Sequence, residues 1–186
     1  MSHIKQYYFS ATGTTQKVVQ TIAQHLSTEI EEHDLLRKPL SSSETLPADT
    51  VAVIGMPVYS GRIPTHCAEM LAKLKGTNTP AIAVVVYGNR DYDDALLELT
   101  DILTNNSFLV YGAGAVVAQH SIFSSVGKAR QDQSDFHQIA DNARQCAIKL
   151  EQTAGTEKPI KGKGNSPYKK NVPVTRRTTA DNTDRS

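Results

Sequence analysis

Short apolar runs alternate along this chain with segments whose apolar residues recur three or four positions apart. The runs predict five β-strands, at Ile4–Phe9, Ile30–Leu36, Thr50–Gly55, Pro80–Tyr87 and Phe108–Ala118. The helical spacing predicts four helices, at Lys17–Leu26, Thr65–Lys75, Asp93–Asn105 and Asp132–Gln152. Strands that alternate with helices pair in parallel through right-handed crossovers, so the pattern predicts an α/β fold with an open, doubly wound sheet.

The strands differ in how completely they are apolar, and this predicts their places in the sheet. Residues 51–54 and 81–86 are continuous apolar runs, which is typical of strands covered on both faces. Ile30–Leu36 is rich in charge and is predicted at the sheet edge. The segment 38–49, with three consecutive serines and two prolines, is predicted to be a polar loop, and Thr65 a helix cap.

Composition separates the chain into an acidic body and a basic tail. Residues 1–155 carry 12 Lys or Arg against 16 Asp or Glu, whereas residues 156–186 carry 8 against 3. From residue 153 onward the chain is rich in Lys, Pro, Gly and Thr and lacks periodicity, so we expect one domain over 1–153 and an extended or disordered tail over 154–186. We favour the interpretation that this tail is a solvated linker over the one in which it binds an acidic partner. Binding of nucleic acid is not expected, because Tyr168 is the tail's only aromatic residue.

Cysteine and apolar content exclude several classes of function. Two cysteines, Cys67 and Cys146, are too few for an iron–sulfur cluster held by this chain alone and do not form a disulfide framework. The histidines show no metal-ligand spacing, so no metal is expected. No apolar run reaches the roughly 18–20 residues of a membrane span, and the first residues lack a secretory apolar segment. We therefore expect a cytoplasmic protein.

Three loops follow the strands predicted to be central, where open α/β sheets bind ligands. The first, Ser10–Thr15, reads S-A-T-G-T-T and precedes a helix. Its hydroxyls, its glycine and the N–H groups of the helix N-terminus suit a phosphate. It ends in no lysine and is not GxGxxG, so a phosphate monoester fits better than a dinucleotide. The alternative is a cluster of Ser and Thr that only caps the helix.

The second and third loops carry aromatic and basic side chains. Tyr59 and Tyr92 would lie against a flat ligand, and Arg62 would bring positive charge to it. Ser60, Gly61 and Gly88 allow backbone N–H groups to approach closely, and Asn89 and Arg90 offer hydrogen bonds. The alternatives are a surface loop bracketed by prolines and a helix entry capped by Asp91 or Asp93.

The loop Ser10–Thr15 resembles the [ST]-x-T-G-[NT]-[ST] phosphate loop of the flavodoxin family, in position as well as in chemistry. The resemblance implies a flavodoxin-like sheet of order 2-1-3-4-5 with helices on both faces, and FMN as the cofactor. It implies that FMN contacts residues from all three loops: Ser10, Thr12, Gly13, Thr14, Thr15, Pro57, Val58, Tyr59, Ser60, Gly61, Arg62, Tyr87, Gly88, Asn89, Arg90 and Tyr92.

Further segments narrow the resemblance to a subgroup in which a two-cluster ferredoxin domain follows the flavodoxin domain. These are P-V-Y-S-G-R-I-P at 57–64, V-V-Y-G-N-R-D-Y-D-D-A-L at 85–96, Gln119–Ser121 and the tail segment 163–169. No cysteine follows Arg177, so this sequence does not contain the ferredoxin part.

The resemblance implies an FMN-binding protein that transfers electrons to or from a separate iron–sulfur, ferredoxin-like or reductase partner. Two alternatives stay open: an FMN-dependent NAD(P)H or quinone-type oxidoreductase, and a binding module without a cofactor. Catalytic residues are not assigned. Arg62 and Arg90, if near the ring, would raise its potential. His120 is a candidate proton donor, although a histidine held by loop hydrogen bonds is favoured. Cys67, beside His66, is predicted to be a core residue rather than a reactive thiol.

Overall fold

The computed structural model describes residues 3–88, 91–117 and 159–170. Its strands are β1 (His3–Tyr8), β2 (Ile30–Asp34), β3 (Glu44–Leu46), β4 (Thr50–Pro57), β5 (Leu74–Gly76), β6 (Thr79–Tyr87) and β7 (Phe108–Val117). Its helices are α1 (Thr14–Leu26), α2 (Thr65–Leu71) and α3 (Ala95–Asn105). The predicted helix Asp132–Gln152 and the residues Gln119, His120 and Ser121 lie outside the described residues.

Five of the strands form one parallel sheet in the order β2-β1-β4-β6-β7. When the two short strands β3 and β5 are set aside, this is the predicted order 2-1-3-4-5, so the predicted fold is confirmed. The charged strand β2 lies at the sheet edge, as expected. The apolar strands β4 and β6 lie in the middle, and every residue of β4 is buried.

Helices cover both faces of this sheet. On one face, α1 packs its apolar stripe of Val18, Val19, Ile22 and Ala23 against β1, β4 and β6. On the other face, α2 and α3 bury Cys67, Leu71, Leu96, Leu99 and Leu103 in a second apolar cluster with Tyr7, Ile54 and Met56. Successive residues of a strand point to opposite faces. This is why Tyr7 and Tyr8 are both buried, each in a different cluster.

A second, two-stranded parallel sheet joins β3 to β5, and the sequence did not predict it. The expected polar loop 38–49 contains β3, and the expected helix Thr65–Lys75 stops at Leu71, before β5 begins at Leu74. Leu46 and Leu74 are fully buried. Leu46 pairs with Gly76 and Leu74 pairs with Glu44, so the two strands bury these leucines where the pattern predicted loop and helix. Thr65 is not the helix cap, since Pro64 has that position and Thr65 is the first helical residue.

Residues 159–170, which we call the strap, contain no helix or strand. The strap lies against α3, where it contacts Thr100 and Asp101, and against Asp94, which precedes the helix. Ile160 N–H donates to the Val110 carbonyl at 2.7 Å, and Gly162 N–H donates to Thr100 Oγ1 at 2.9 Å. The predicted domain boundary at residue 153 lies outside the described residues. In the part of the chain that the structure describes, no helix is long and apolar enough to cross a membrane.

Candidate functional site

The loops that follow β1, β4 and β6 lie side by side at one edge of the sheet, because these three strands are neighbours. Hydrogen bonds continue across the strand ends: Phe9 N–H donates to the Gly55 carbonyl at 3.3 Å, and Val58 N–H donates to the Val86 carbonyl at 2.9 Å. The structure therefore brings together the three segments that the sequence singled out. This edge is formed by the carboxyl ends of the strands, where ligands bind in open α/β sheets.

The first loop turns into α1 through a glycine in the left-handed conformation. Gly13 is the residue before the helix and has φ +80°. A Cβ at that position would meet no atom within 4 Å in the part of the chain that the structure describes, so the glycine is required by its conformation rather than by space. Because Gly13 has no side chain, it cannot cap the helix itself, and the Ser10 hydroxyl accepts the N–H of Gln16 in the first turn instead.

The donor groups of the first loop suit a phosphate. Thr12 Oγ1 lies 3.0 Å from Thr14 Oγ1, so the two hydroxyls converge, and Ser10 Oγ accepts the Gln16 N–H at 3.2 Å. The first turn of α1 carries no acidic residue that would repel an anion. An α-helix also leaves its first N–H groups without partners in the helix. Thr15 differs from the others because its side chain is buried under the sheet, at 4% exposure.

The second loop is a tight turn closed by Tyr59 and Arg62. Tyr59 N–H donates to the Arg62 carbonyl at 2.9 Å, and Arg62 N–H donates to the Tyr59 carbonyl at 3.1 Å. The two central residues, Ser60 and Gly61, have φ of 54° and 81°. Positive φ at both central positions is the type I′ geometry, which glycine favours at little cost. The half-buried Tyr59 is thereby fixed at the sheet edge.

The third loop brings two tyrosine rings together. The ring of Tyr92 packs edge-on against Tyr87, with centroids 5.2 Å apart. Asp91 Oδ1 accepts the N–H groups of Tyr92 and Asp93, at 2.7 and 3.2 Å. Helix α3 starts after Asp94, so neither Asp91 nor Asp93 is at the capping position that the alternative interpretation assigned to them. Asn89 and Arg90 lie outside the described residues, and their contacts stay predictions.

Arg62 is held by a carboxylate of α3. Arg62 Nε donates to Glu98 Oε2 at 2.8 Å, and Nη2 donates to Glu98 Oε1 at 2.7 Å. The Ile63 N–H also donates to Glu98 Oε2, at 3.0 Å. The pKa of Arg62 is raised above its usual value, mainly by the hydrogen bonds to Glu98. The positive charge of Arg62 is therefore compensated by Glu98, which lowers its expected influence on a ligand at this edge.

Sequence reasoning missed Asp94, Glu98 and the strap. Asp94 is 2% exposed and Glu98 is 7% exposed, although both carry a carboxylate. Asp94 Oδ1 accepts the Asn165 N–H at 2.7 Å, and Oδ2 accepts the Lys169 N–H at 2.6 Å. These two backbone hydrogen bonds hold the pKa of Asp94 below its usual value. Two features of the sequence could have revealed these contacts: acidic residues in an otherwise apolar helix, and a tail of opposite, basic charge.

Cys67 lies in the apolar cluster under the sheet and is fully buried. Burial raises the pKa of its thiol to about 12, so the thiolate form is scarce at neutral pH. The prediction of a core cysteine agrees with this placement. Neighbouring His66 instead packs its ring against Phe9, with centroids 4.8 Å apart.

A model of the flavodoxin domain family matches residues 7–98, a range that contains all three loops and the start of α3. This part of the chain is a flavodoxin domain. A comparison with curated proteins found no match in sequence. The family match covers the sheet edge that the three loops form, so the flavodoxin domain and the candidate site coincide.

Solved structures share the fold of this flavodoxin domain at low sequence identity. Oxidised flavodoxin 1 from Bacillus cereus is 14% identical, with a TM-score of 0.57, and the match covers 80% of this chain and 98% of that chain. A flavodoxin of Fusobacterium nucleatum, solved bound to flavin mononucleotide, is 13% identical, with a TM-score of 0.50 and coverages of 82% and 98%.

The fold also occurs inside a larger enzyme. The rubredoxin oxygen:oxidoreductase of Desulfovibrio gigas is 15% identical, with a TM-score of 0.60 over 84% of this chain. The match spans 38% of the length of that oxidoreductase. The similarity between this chain and that oxidoreductase therefore concerns only the fold of the matching part.

Proposed function

We propose that this chain binds FMN at the carboxyl edge of its sheet and works as an electron-transfer flavoprotein. Residues 10–15 would hold the phosphate, through the hydroxyls of Ser10, Thr12 and Thr14, the turn at Gly13 and the N–H groups at the start of α1, Thr15 included. The ring would lie across the second and third loops, against Pro57, Val58, Tyr59, Ser60, Gly61, Arg62, Tyr87, Gly88, Asn89, Arg90 and Tyr92.

One observation carries the proposal: a loop rich in hydroxyls and free of carboxylates lies beside two loops with tyrosines, at the edge of a flavodoxin sheet. The phosphate of FMN is a dianion at neutral pH, and the first loop offers only neutral donors and the positive end of a helix dipole. The ring system is flat and apolar on its faces, which suits Tyr59 and Tyr92. The donor set therefore fits this cofactor.

When bound, FMN supplies reversible electron transfer, and the protein positions it and sets its potential. We propose a separate redox protein as the partner, either a ferredoxin-like carrier or a reductase, since this chain contains too few cysteines to hold a cluster itself. A cytoplasmic location belongs to the same proposal, because a free thiol such as Cys67 suits a reducing compartment.

The phosphate role is tested by Thr12→Val. The Thr12 side chain is exposed, and its recorded contact is with the Thr14 hydroxyl, so the fold does not depend on it. A hydrogen bond to a charged group contributes about 1.5–3 kcal/mol, so the Kd for FMN should rise about tenfold to a hundredfold. The Kd for riboflavin, which lacks the phosphate, should not change. Fluorescence titration of the apo-protein measures both.

Thr21→Val, on the same helix but away from the loop, is the matched control and should bind FMN like the wild type. A loss of stability in Thr12→Val with no change in FMN affinity would support the helix-cap interpretation instead. A colourless protein that takes up no added FMN would favour the cofactor-free binding module. Oxidation of NAD(P)H with quinone acceptors, without any reductase partner, would favour the oxidoreductase over the carrier.

A further inference from the structure

We propose that the strap, residues 159–170, positions the two loops that would hold the flavin ring, and that Asp94 and Arg62 are the positioning residues through which it acts. The proposal rests on the proposed FMN function. It assigns a binding role to a part of the chain that the sequence treats as a linker.

The strap is fastened to the start of α3 by a buried carboxylate. Both oxygens of Asp94 accept N–H groups of the strap, from Asn165 at 2.7 Å and from Lys169 at 2.6 Å. The Asn165 side-chain amide adds a longer contact at 3.2 Å. Lys169 also places its ammonium group 2.8 Å from Asp93 Oδ2. Because Asp94 is almost fully buried, its charge needs these partners to be tolerated.

Asp94 also contacts the second loop. Asp94 N–H donates to the Gly61 carbonyl at 3.0 Å, in the centre of the turn between Tyr59 and Arg62. At the end of that turn, Arg62 Nη1 donates to the Lys169 carbonyl, and the guanidinium lies 4.6 Å from the Tyr168 ring centroid. The guanidinium of Arg62 thus joins the turn to the strap on one side and to Glu98 on the other.

Arg62 is itself a predicted ring contact, and Asp94 is close in sequence to another. Arg62 closes the turn that begins with Tyr59, and Asp94 lies two residues after Tyr92. By contrast, no recorded hydrogen bond or ion pair of Ser10–Thr15 involves the described residues of the strap. Release of the strap should therefore weaken binding of the ring and leave binding of the phosphate unchanged.

Two glycines allow the strap to lie against α3. A methyl group at Gly162 would lie 2.5 Å from the Leu96 carbonyl oxygen, and one at Gly164 would lie 2.6 Å from Leu97 Cβ. Contacts this short are not tolerated, so Gly162→Ala/Gly164→Ala should release the strap without altering the loops. A Cβ at Gly114, on β7, would meet no atom of the described residues within 4 Å, so Gly114→Ala is a matched control.

The test uses the full chain, freed of cofactor and titrated with FMN, riboflavin and inorganic phosphate. We expect the double glycine variant to raise the Kd for FMN and for riboflavin at least tenfold. The inhibition constant of inorganic phosphate against FMN should stay unchanged, a separation that general loss of stability would not produce. Gly114→Ala should behave like the wild type.

A second variant, Asn165→Pro, removes one N–H donated to Asp94 and changes no residue of the sheet or helices. Hydrogen exchange at the Lys169 amide reports release of the strap. A variant whose Lys169 amide exchanges freely while its Kd for FMN equals that of the wild type would overturn the role of the strap and leave the FMN proposal standing. Wild-type protein that binds no FMN would overturn both.

Discussion

At the scale of single residues, Gly55 determines how closely the first loop approaches the sheet. A Cβ on Gly55 would lie 2.2 Å from Val19 Cγ2 and 3.2 Å from the methyl group of Thr15. Both partners belong to α1, and β-branched side chains in a helix have little freedom at χ1. The absence of a side chain on β4 therefore lets the start of α1 pack directly on the sheet, beside the loop that ends at Thr15.

Gly55→Ala should destabilise the fold by about 1–3 kcal/mol, the usual cost of forcing an extra methyl group into a packed core. Because α1 must move away, the Kd for FMN should also rise. Urea unfolding measures the first effect and fluorescence titration the second. Gly114→Ala, where the added methyl group has room, is the control. Equal stabilities of the two variants would contradict this account of Gly55.

At the scale of elements, the pair formed by Arg62 and Glu98 holds the second loop against α3. The side chains are only 13% and 9% exposed, and two nitrogens of the guanidinium meet two oxygens of the carboxylate. A fork-shaped contact of this kind fixes direction as well as distance. Glu98 also accepts the Ile63 N–H, so one side chain of the helix holds both the end of the turn and the residue after it.

Arg62→Leu should cost about 3–5 kcal/mol in the free energy of unfolding, because it leaves the carboxylate of Glu98 buried and unpaired. In a double-mutant cycle, Arg62→Leu/Glu98→Leu should cost less than the two single changes together. Arg37→Leu is the control, since the pair of Arg37 and Asp34 has its arginine 85% exposed and should contribute only about 0–1 kcal/mol. Strictly additive costs for Arg62 and Glu98 would contradict the coupling.

At the scale of the whole molecule, acidic residues on α3 and just before it meet the basic strap. Asp93 and Asp101 approach Lys169 and Lys161, and Tyr168 donates its hydroxyl to Asp101. Burial, together with that hydrogen bond, raises the pKa of Tyr168 above its usual value. The opposite charges of the body and the tail, visible in the sequence, are thus partly explained by one contact surface.

Docking of the strap should weaken at acidic pH, because Asp94 becomes protonated. Its pKa in the folded protein lies below the ordinary value of 3.8, because Lys169 and Asn165 donate to the carboxylate and Arg62 adds positive charge. Docking is therefore fully favoured above that ordinary value and is lost as the pH falls through the lower folded one. NMR shifts of the Asn165 and Lys169 amides should titrate with a midpoint below 3.8.

Asp94→Asn is the matched variant for this titration, because it keeps the shape of the side chain and removes the charge. Its strap should dock more weakly at neutral pH, and its amides should show no acidic midpoint from residue 94. Asp93 and Lys169 also face this region, so the same shifts should be followed in Asp93→Asn. A wild-type midpoint at or above the ordinary value would contradict the assignment.

The order of the sheet came from the resemblance to the flavodoxin family. The sequence alone determined the alternation of strands and helices, the central places of β4 and β6 and the chemistry of the first loop. These follow from local periodicity, from the apolar character of β4 and β6, and from a contiguous run of hydroxyl residues before a helix. The sequence did not predict the short strands β3 and β5, because a strand of three residues leaves no periodic signal. Their pairing also joins distant parts of the chain.

Only the tertiary structure decided which partners the buried charges have. Arg62 and Glu98 are 36 residues apart, and Asp94 and Lys169 are 75 residues apart. No local pattern encodes such pairs, because a charged residue in a sequence is predicted to be exposed to solvent. Only folding removes the water around it. A buried charge must then find a partner wherever the fold brings one. The arginine predicted to face the ligand, and the tail predicted to be a linker, obtained their contacts in this way.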